Sequence, residues 1–256
     1  MTRYVGFDLE TTGVSSFLDV PVSYSFVERV SDGSRLLSVF EGGLVNPGRA
    51  IPAGACAVHG ITDDMVADAM PLAEATELIA KKLHDVWRDG GVIVGMNVSY
   101  DLTMVDSVCR RLGLVPLHLR GQIGSVMDVL VLDRRFDKWR KGPRKLTDLC
   151  GHYEVTLSNA HSAAYDAEAS LVVLETMRRR YPDLDLLDGG HVNTALRAWY
   201  QEWLSSFSKY LEKKGESPIP AGRYEWPIHV DDESLVGLGR FELPISRPPA
   251  ERSRPN

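Results

Sequence analysis

YVGFDLETTG, residues 4–13, opens the chain with an apolar, β-prone run that carries two acids at its end. The run predicts a strand over about residues 3–10, and Thr11-Thr12-Gly13 predicts a turn after it. Because side chains alternate across a strand, Asp8 and Glu10 leave the same face, where two carboxylates repel unless cations lie between them. On its own the pair is weak support for a metal site, since acids at a strand end are more often solvated.

Strand-like and helix-like segments alternate along the rest of the first 185 residues. Two further strands are predicted at 23–30 and 36–45, and a buried strand at 91–95. Helical periodicity predicts helices or mixed segments at 72–88, 101–112, 126–139, 145–152 and 163–180. This alternation predicts an α/β domain over residues 1–185.

The C-terminal third has a different pattern. Residues 191–213 place Leu, Trp, Tyr and Phe at helical spacing, which predicts an amphipathic helix within a helical extension over 186–238. Packing of that apolar face in the core is favoured, with a partner-docking face as the alternative. Residues 239–256 contain four prolines and four arginines and predict a disordered tail.

Composition limits the classes of function. The chain has 256 residues, 44% hydrophobic and 25% charged, which is typical of globular proteins. Its net charge of −6 argues against binding nucleic acid by bulk electrostatic attraction alone, so any such binding must be local. The longest apolar runs are far shorter than the ~20 residues that cross a bilayer. Three cysteines without a C-x-x-C motif favour buried thiols in a reducing compartment, so we expect a cytoplasmic protein with no membrane contact.

Two more acids and a histidine stand at the ends of predicted elements. Asp101 follows the buried strand, and Asp166 lies in a helix's first turn, five residues after His161. Each acid alone could be an ordinary helix-start acid. Together with Asp8 and Glu10, however, they supply four carboxylates and a base. Carboxylate oxygens suit Mg²⁺ or Mn²⁺, and a pair of such ions suits displacement at phosphorus, with a histidine of pKa ~6.5 taking a proton from water.

These motifs resemble the DnaQ-like 3′-to-5′ exonucleases of the DEDDh type. The matching pieces, in the family's order and spacing over residues 3–180, are FDLETTG (7–13), VHGIT (58–62), GMNVSYDLTM (95–104), RKLTDLC (144–150) and HSAAYDAEA (161–169). The resemblance implies the ribonuclease H-like exonuclease fold, an α/β fold with a mixed sheet flanked by helices. The C-terminal amphipathic helix would be added to that fold.

The resemblance also implies a catalytic set of four acids and one histidine. Asp8, Glu10 and Asp166 would hold the catalytic metal, Asp8 would bridge to a second ion that Asp101 helps to hold, and His161 would be the general base. The tyrosine subtype of this superfamily has a tyrosine four residues before the last acid, and Ser162 stands there. The histidine subtype, with two divalent metal ions, is therefore implied.

Substrate contacts are implied for five further residues. Thr11 and Thr12 would contact the terminal nucleotide and its 3′ hydroxyl, although a turn built from small hydroxyl residues explains them equally well. His59 would lie beside the terminal base, and Asn97 and Tyr100 near the scissile end. The family often has phenylalanine where Tyr100 stands, which is a mild departure.

A basic segment over residues 134–145 stands out against the acidic average. It contains Arg134, Arg135, Lys138, Arg140, Lys141, Arg144 and Lys145, with Trp139 among them. These residues could guide a nucleic-acid backbone and stack on a base. A solvated face is nearly as well supported.

The sequence therefore predicts a metal-dependent exonuclease that releases nucleoside monophosphates from 3′ ends of single-stranded or frayed DNA, with a possible proofreading role beside a DNA polymerase. One alternative is an RNA-trimming or oligoribonuclease-type enzyme, because the same metals and base serve both sugars. The other is a non-catalytic subunit that docks a polymerase through residues 191–213. The four mutually repelling acids argue against that alternative.

Overall fold

A six-stranded mixed sheet forms the centre of the computed structural model, which describes residues 2–31, 36–156, 162–187 and 191–231. Its strands are β1 (Tyr4–Thr11), β2 (Pro21–Ser31), β3 (Leu36–Asn46), β4 (Met70–Pro71), β5 (Val92–Gly95) and β6 (Val126–Asp128). Their order is β4-β3-β2-β1-β5-β6. β1, β2 and β3 pair antiparallel, whereas β5 runs parallel to β1, β6 to β5 and β4 to β3. The predicted mixed sheet is confirmed.

Helices flank this sheet and account for most of the remaining described residues. They are α1 (Ala53–His59), α2 (Asp63–Val66), α3 (Leu72–Arg88), α4 (Val98–Arg111), α5 (Val129–Phe136), α6 (Leu146–His152), α7 (Ala163–Arg180) and α8 (Val192–Lys213). The helices predicted at 72–88 and 163–180 are confirmed, as is the C-terminal amphipathic helix. The helix predicted at 101–112 begins three residues earlier, directly after Asn97, whose φ of 57° is left-handed.

The segment predicted as helical or mixed over 126–139 divides into two elements. Val126–Asp128 is the edge strand β6, which pairs with β5, and α5 begins at the next residue. The Asp128 carboxylate ends the strand and caps the helix by accepting hydrogen bonds from the backbone N–H groups of Leu130 and Val131. A short apolar run fits strand and helix equally well by periodicity, so the sequence could not locate this boundary.

The two faces of β1 have different neighbours. Val5, Phe7 and Leu9 are buried in the hydrophobic core. On the other face, Gly6 lies against α7 so closely that a Cβ atom there would be 2.6 Å from the carbonyl oxygen of Ala167. The missing side chain at Gly6 therefore allows α7 to pack directly on the strand that carries Asp8.

The inner face of α8 belongs to the same core as the sheet. Leu196, Tyr200 and Leu204 are buried in it, and Trp226, which follows the helix, is only 1% exposed. Arg197 donates hydrogen bonds to the Trp226 carbonyl at 3.0 and 2.8 Å. Core packing therefore accounts for most of the aromatic stripe, because the half-buried Trp199 and Trp203 also pack against this core. Phe207 and Tyr210 are exposed.

Two sequence expectations lie partly or wholly beyond these residues. The tail over 239–256 falls outside the described residues, as does part of the predicted extension 186–238. Within the described ranges, every helix is too short or too polar to cross a membrane.

Candidate active site

Three of the predicted acids converge at the end of β1. Asp8 and Glu10 leave the same face of the strand, and Asp166 comes from the first turn of α7. One carboxylate oxygen of each lies within 4.8 Å of the others, and all three side chains are half-buried. Residues that are 156 positions apart in sequence therefore form one acidic cluster.

Two local features place this acidic cluster. Gly6 allows the close approach of α7, and the register between β1 and β2 shifts between Glu10 and Thr11. Such an irregularity bends a strand and re-aims its side chains. The carboxylates consequently lie where the strand turns into the Thr11-Thr12-Gly13 segment.

Substituting Gly6 with alanine tests the dependence of the site on this packing. The added Cβ would meet the Ala167 carbonyl at 2.6 Å and Leu171 Cδ1 at 3.1 Å, so α7 must move away from β1. Overpacking of this kind costs about 1–3 kcal/mol, and a displacement of ~1 Å in a catalytic group can cost ~10²-fold in rate. We expect a lower free energy of unfolding in chemical denaturation and at least about a 10-fold slower hydrolysis of single-stranded DNA.

Gly151→Ala is the matched control for that substitution. Gly151 lies in α6, where a Cβ would meet no atom within 4 Å, and alanine is favoured over glycine inside a helix. A Gly6→Ala protein as stable and as active as Gly151→Ala would show that the close contact does not hold Asp166 in place.

Asp101 reaches the same end of β1 from the other side. It lies in the first turn of α4, is 4% exposed, and accepts a hydrogen bond from the backbone N–H of Leu9 at 3.2 Å. β5 pairs with β1 only as far as Gly6, so Leu9 lies past the end of that ladder. Asp101 is therefore fixed to the residue between Asp8 and Glu10, although it is not one of the three clustered acids.

The electrostatics of these acids favour a positively charged occupant. Burial, together with repulsion from Asp101, Glu10 and Asp166, raises the pKa of Asp8 well above its usual value. Burial and then repulsion from Asp166 raise the pKa of Glu10 to about 7. The pKa of Asp101 is also raised, mainly by burial, although its backbone hydrogen bonds oppose the shift. Ionising all of them at once is costly without a cation between them.

Sequence reasoning missed Asp128, a buried acid that holds the start of α4 and so positions Asp101. Its side chain is 1% exposed, and burial raises its pKa to about 6. It accepts a hydrogen bond at 3.0 Å from the backbone N–H of Asn97, whose left-handed conformation starts α4 and so places Asp101. An acid between an apolar run and a helix is an N-cap signal, and that signal was available in the sequence.

The turn after Glu10 is held by the predicted substrate residues. The hydroxyls of Thr11 and Tyr100 both donate to the Gly13 carbonyl, at 2.7 and 2.6 Å, and lie 3.2 Å apart. Thr12 is 2% exposed and donates to Asp19 at 3.0 Å. The Thr12 hydroxyl thus serves the turn itself, whereas Thr11 and Tyr100 lie together beside the acidic cluster.

Of the two histidines predicted at the site, His59 lies within the described residues and His161 lies outside them. His59 ends α1, and its Nδ1 accepts a hydrogen bond from the Ile61 N–H at 3.0 Å. Burial lowers the pKa of His59, and interaction with the Thr11 backbone partly offsets this effect. His161 lies outside the described residues, and Ser162, the next residue, is the N-cap of α7.

The donor set fits hard divalent cations. Asp8, Glu10 and Asp166 offer only carboxylate oxygens, the ligands that Mg²⁺ and Mn²⁺ prefer over the sulfur and nitrogen of zinc sites. A mixed sheet with such a cluster at the end of its first strand is the arrangement that the sequence resemblance implies for a metal-dependent nuclease.

Comparison with known proteins identifies the family. The family model described as exonuclease, RNase_T, matches residues 5–174, so the chain belongs to this exonuclease family. The DNA polymerase III PolC-type of Lacticaseibacillus paracasei is 32% identical over 177 residues, which are 69% of this chain and 11% of that protein. The corresponding protein of Staphylococcus aureus is 30% identical over 75% of this chain and 12% of its own length. The chain thus spans about a tenth of these relatives.

Solved structures share the fold. Escherichia coli exonuclease I in complex with a dT13 oligonucleotide has a TM-score of 0.59 and 20% identity, over 73% of this chain and 43% of that one. Exonuclease I of Methylocaldum szegediense has a TM-score of 0.56 and 20% identity, over 72% and 42%. At this level of identity the likeness establishes the ribonuclease H-like exonuclease fold.

Proposed function

We propose that this protein is a metal-dependent 3′-to-5′ exonuclease that releases nucleoside monophosphates from single-stranded or frayed 3′ ends of DNA. The observation that carries the proposal is the acidic cluster of Asp8, Glu10 and Asp166, with ligand oxygens within 4.8 Å of one another in an exonuclease-family fold. Relatives named as DNA polymerases and a fold neighbour bound to dT13 favour DNA over RNA.

The residues divide the chemistry among them. Asp8, Glu10 and Asp166 would hold one of two divalent metal ions, Mg²⁺ or Mn²⁺, and Asp101 would help Asp8 to hold the second. Two such ions, when bound, supply charge stabilisation for displacement at phosphorus and a more acidic water. His161 would accept the proton of that water.

Substrate positioning falls to the turn and to α4. The hydrogen bonds of Thr11 and Tyr100 to Gly13 would present a fixed turn to the terminal nucleotide. Asn97, held by Asp128, would keep the start of α4 beside the scissile end, and His59 would contact the terminal base. Fixed groups of this kind raise the rate because they hold the phosphodiester in position before reaction.

A DNA polymerase is the proposed partner, with proofreading as the role. The support is that the PolC-type relatives at 30–32% identity are named as polymerases. Cytoplasmic location, inferred from the three cysteines, remains a prediction.

The proposal is tested by digesting single-stranded DNA and RNA of one sequence, labelled at either end, with Mg²⁺, Mn²⁺ or EDTA. We expect 5′-labelled DNA to shorten stepwise from its 3′ end, and EDTA to abolish the reaction. Circular single-stranded DNA, which has no end, is the control and should survive. Release of labelled mononucleotide from the 5′ end, or cleavage of the circle, would contradict the polarity or the exonuclease assignment. Faster digestion of RNA would favour the RNA-trimming alternative.

A further inference from the structure

A pocket lies between α5, the loop after it and α8, and no residue of the acidic cluster lines it. Its volume is about 240 Å³. It is lined by Arg134, Arg135, Lys138, Trp139, Arg144, Trp199, Glu202, Trp203 and Ser206. Five of these residues belong to the basic segment, and the other four belong to α8, which lies beyond the residues that the family model matches.

The cations of the basic segment separate into two groups. Arg140 and Arg144 both bind the fully buried Asp133, and Arg144 also donates to the carbonyls of Asp137 and Arg140 at 2.8 and 3.1 Å. These two arginines therefore hold the loop in shape. Arg135 and Lys138 are exposed at the pocket.

Aromatic rings form the other component of the pocket. The Arg134 guanidinium lies 3.3 Å from the centroid of Trp203, and that of Arg135 lies 5.2 Å from the centroid of Trp199. Trp139 is 86% exposed, an unusual state for the largest side chain. Exposed indoles flanked by cations are the elements that bind single-stranded nucleic acid, because bases stack on the rings and phosphates pair with the cations.

Position and charge agree with a strand that extends from the acidic cluster. α5 begins beside Asp128, which supports the site, and its eight residues span about 12 Å at 1.5 Å each. Arg134 and Arg135, near the other end of α5, line the pocket, so a single helix connects the pocket to Asp128, the residue that holds Asn97. The chain carries a net charge of −6, so a cationic pocket marks where a polyanion can approach.

We propose that this pocket binds an unpaired segment of the substrate strand upstream of its 3′ end. A base stacks on Trp139, and the backbone phosphates contact Arg135 and Lys138. The proposal rests on the proposed function, since it assumes a nucleic-acid substrate. Glu202 lies in the same pocket, 3.4 Å from Lys138, and weakens the attraction for phosphate.

The test is the equilibrium binding of fluorescent 5′-labelled (dT)15 to the full chain. Binding is measured by fluorescence anisotropy, with EDTA present so that no strand is cut. Trp139→Ala should weaken binding about 10-fold, the loss of one base stack. Tyr210→Ala is the matched control, because Tyr210 is 53% exposed on α8 but does not line the pocket. Equal affinities of these two variants would overturn the proposal.

Stacking is separated from charge by a strand in which abasic sites replace the bases. Trp139→Ala should have no effect on the binding of that strand, because no base remains to stack. An equal loss with both strands would contradict stacking on Trp139.

The contribution of the pocket's charges is tested by the salt dependence of (dT)15 binding and by a substitution that should increase the affinity for (dT)15. Lys138→Ala should reduce the slope of log affinity against log salt by about 0.7, one single-strand phosphate contact, whereas Lys141→Ala, outside the pocket, should not. Glu202→Gln should bind (dT)15 about 2- to 5-fold more tightly, because it removes the opposing carboxylate. Unchanged slopes and an unchanged Glu202→Gln affinity would assign the pocket to another ligand.

Failure of the pocket proposal can be distinguished from failure of the proposed exonuclease function. A wild-type protein that shortens 3′ ends while the pocket variants bind like wild type refutes only the pocket. A wild-type protein that neither binds nor cuts either polymer refutes the exonuclease assignment itself.

Discussion

Replacing Asp8 with asparagine is expected to lower the rate of 3′-end hydrolysis by about 10³-fold or more while the fold remains intact. Asp8 is the acid at the centre of the site, since repulsion from Asp101, Glu10 and Asp166 all acts on it. Asparagine keeps the shape but removes the negative charge that a cation needs. The measurement is the initial rate on 5′-labelled single-stranded DNA with saturating Mg²⁺ or Mn²⁺.

The stability of the same variant provides the control for folding. Because the folded-state pKa of Asp8 is raised, ionising this acid costs stability, and the cost grows as pH rises above the unfolded value towards the folded one. At pH 8 without added metal, Asp8→Asn should therefore unfold at a higher temperature than wild type. Added Mg²⁺ or Mn²⁺ should stabilise wild type more than the variant, since only wild type retains the full ligand set.

Two further variants sharpen the interpretation. The double variant Asp8→Asn, Glu10→Gln should be about as slow as Asp8→Asn alone, because ligands of one cation act as a unit. Asp89→Asn, at an exposed acid after α3, should retain the wild-type rate. An Asp8→Asn protein with more than about a tenth of the wild-type rate would remove the cluster from the mechanism.

The sequence predicted long elements better than short ones. β1, α3 and α7 are long and strongly patterned, so alternation or helical spacing was enough to place them. β6 has three residues, and only its pairing with β5 distinguishes it from the start of α5. Pairing partners are set by the tertiary fold, which periodicity does not contain.

At the candidate site, the sequence predicted which acids take part but not the contacts that hold them. Asp8, Glu10 and Asp166 were predicted by motif, and the structure brings them together. The hydrogen bond from Leu9 to Asp101 was not predictable, because it depends on where β5 ends beside β1.

The basic segment illustrates a different limit. Counting cations could not distinguish Arg140 and Arg144, which pair with the buried Asp133, from the exposed Arg135 and Lys138. The exposed pair became recognisable only when α8 supplied the other wall of the pocket.

Replacing His161 with glutamine is expected to slow hydrolysis by about 10²- to 10⁴-fold, the usual contribution of a general base. The support comes from the sequence together with the described neighbours. Ser162, the residue after His161, is at the N-cap position of α7, and its carbonyl accepts a hydrogen bond from the backbone N–H of Asp166 in the acidic cluster. Glutamine can hydrogen-bond to water but cannot accept its proton at neutral pH.

Metal binding and pH dependence distinguish a base from a ligand. If His161 is the base, stabilisation by Mn²⁺ should survive in His161→Gln, unlike in Asp8→Asn, because all four acids remain. With saturating Mn²⁺, which keeps the acids ionised, the wild-type rate should also fall below about pH 6.5 as an imidazole base is protonated, and this fall should disappear in the variant. Tyr165→Phe is the matched control, since Tyr165 adjoins Asp166 but contacts the Phe40 ring, with centroids 6.4 Å apart. A Tyr165→Phe loss as large as that of His161→Gln would reassign the base to the tyrosine, because only then would its hydroxyl be required for proton transfer.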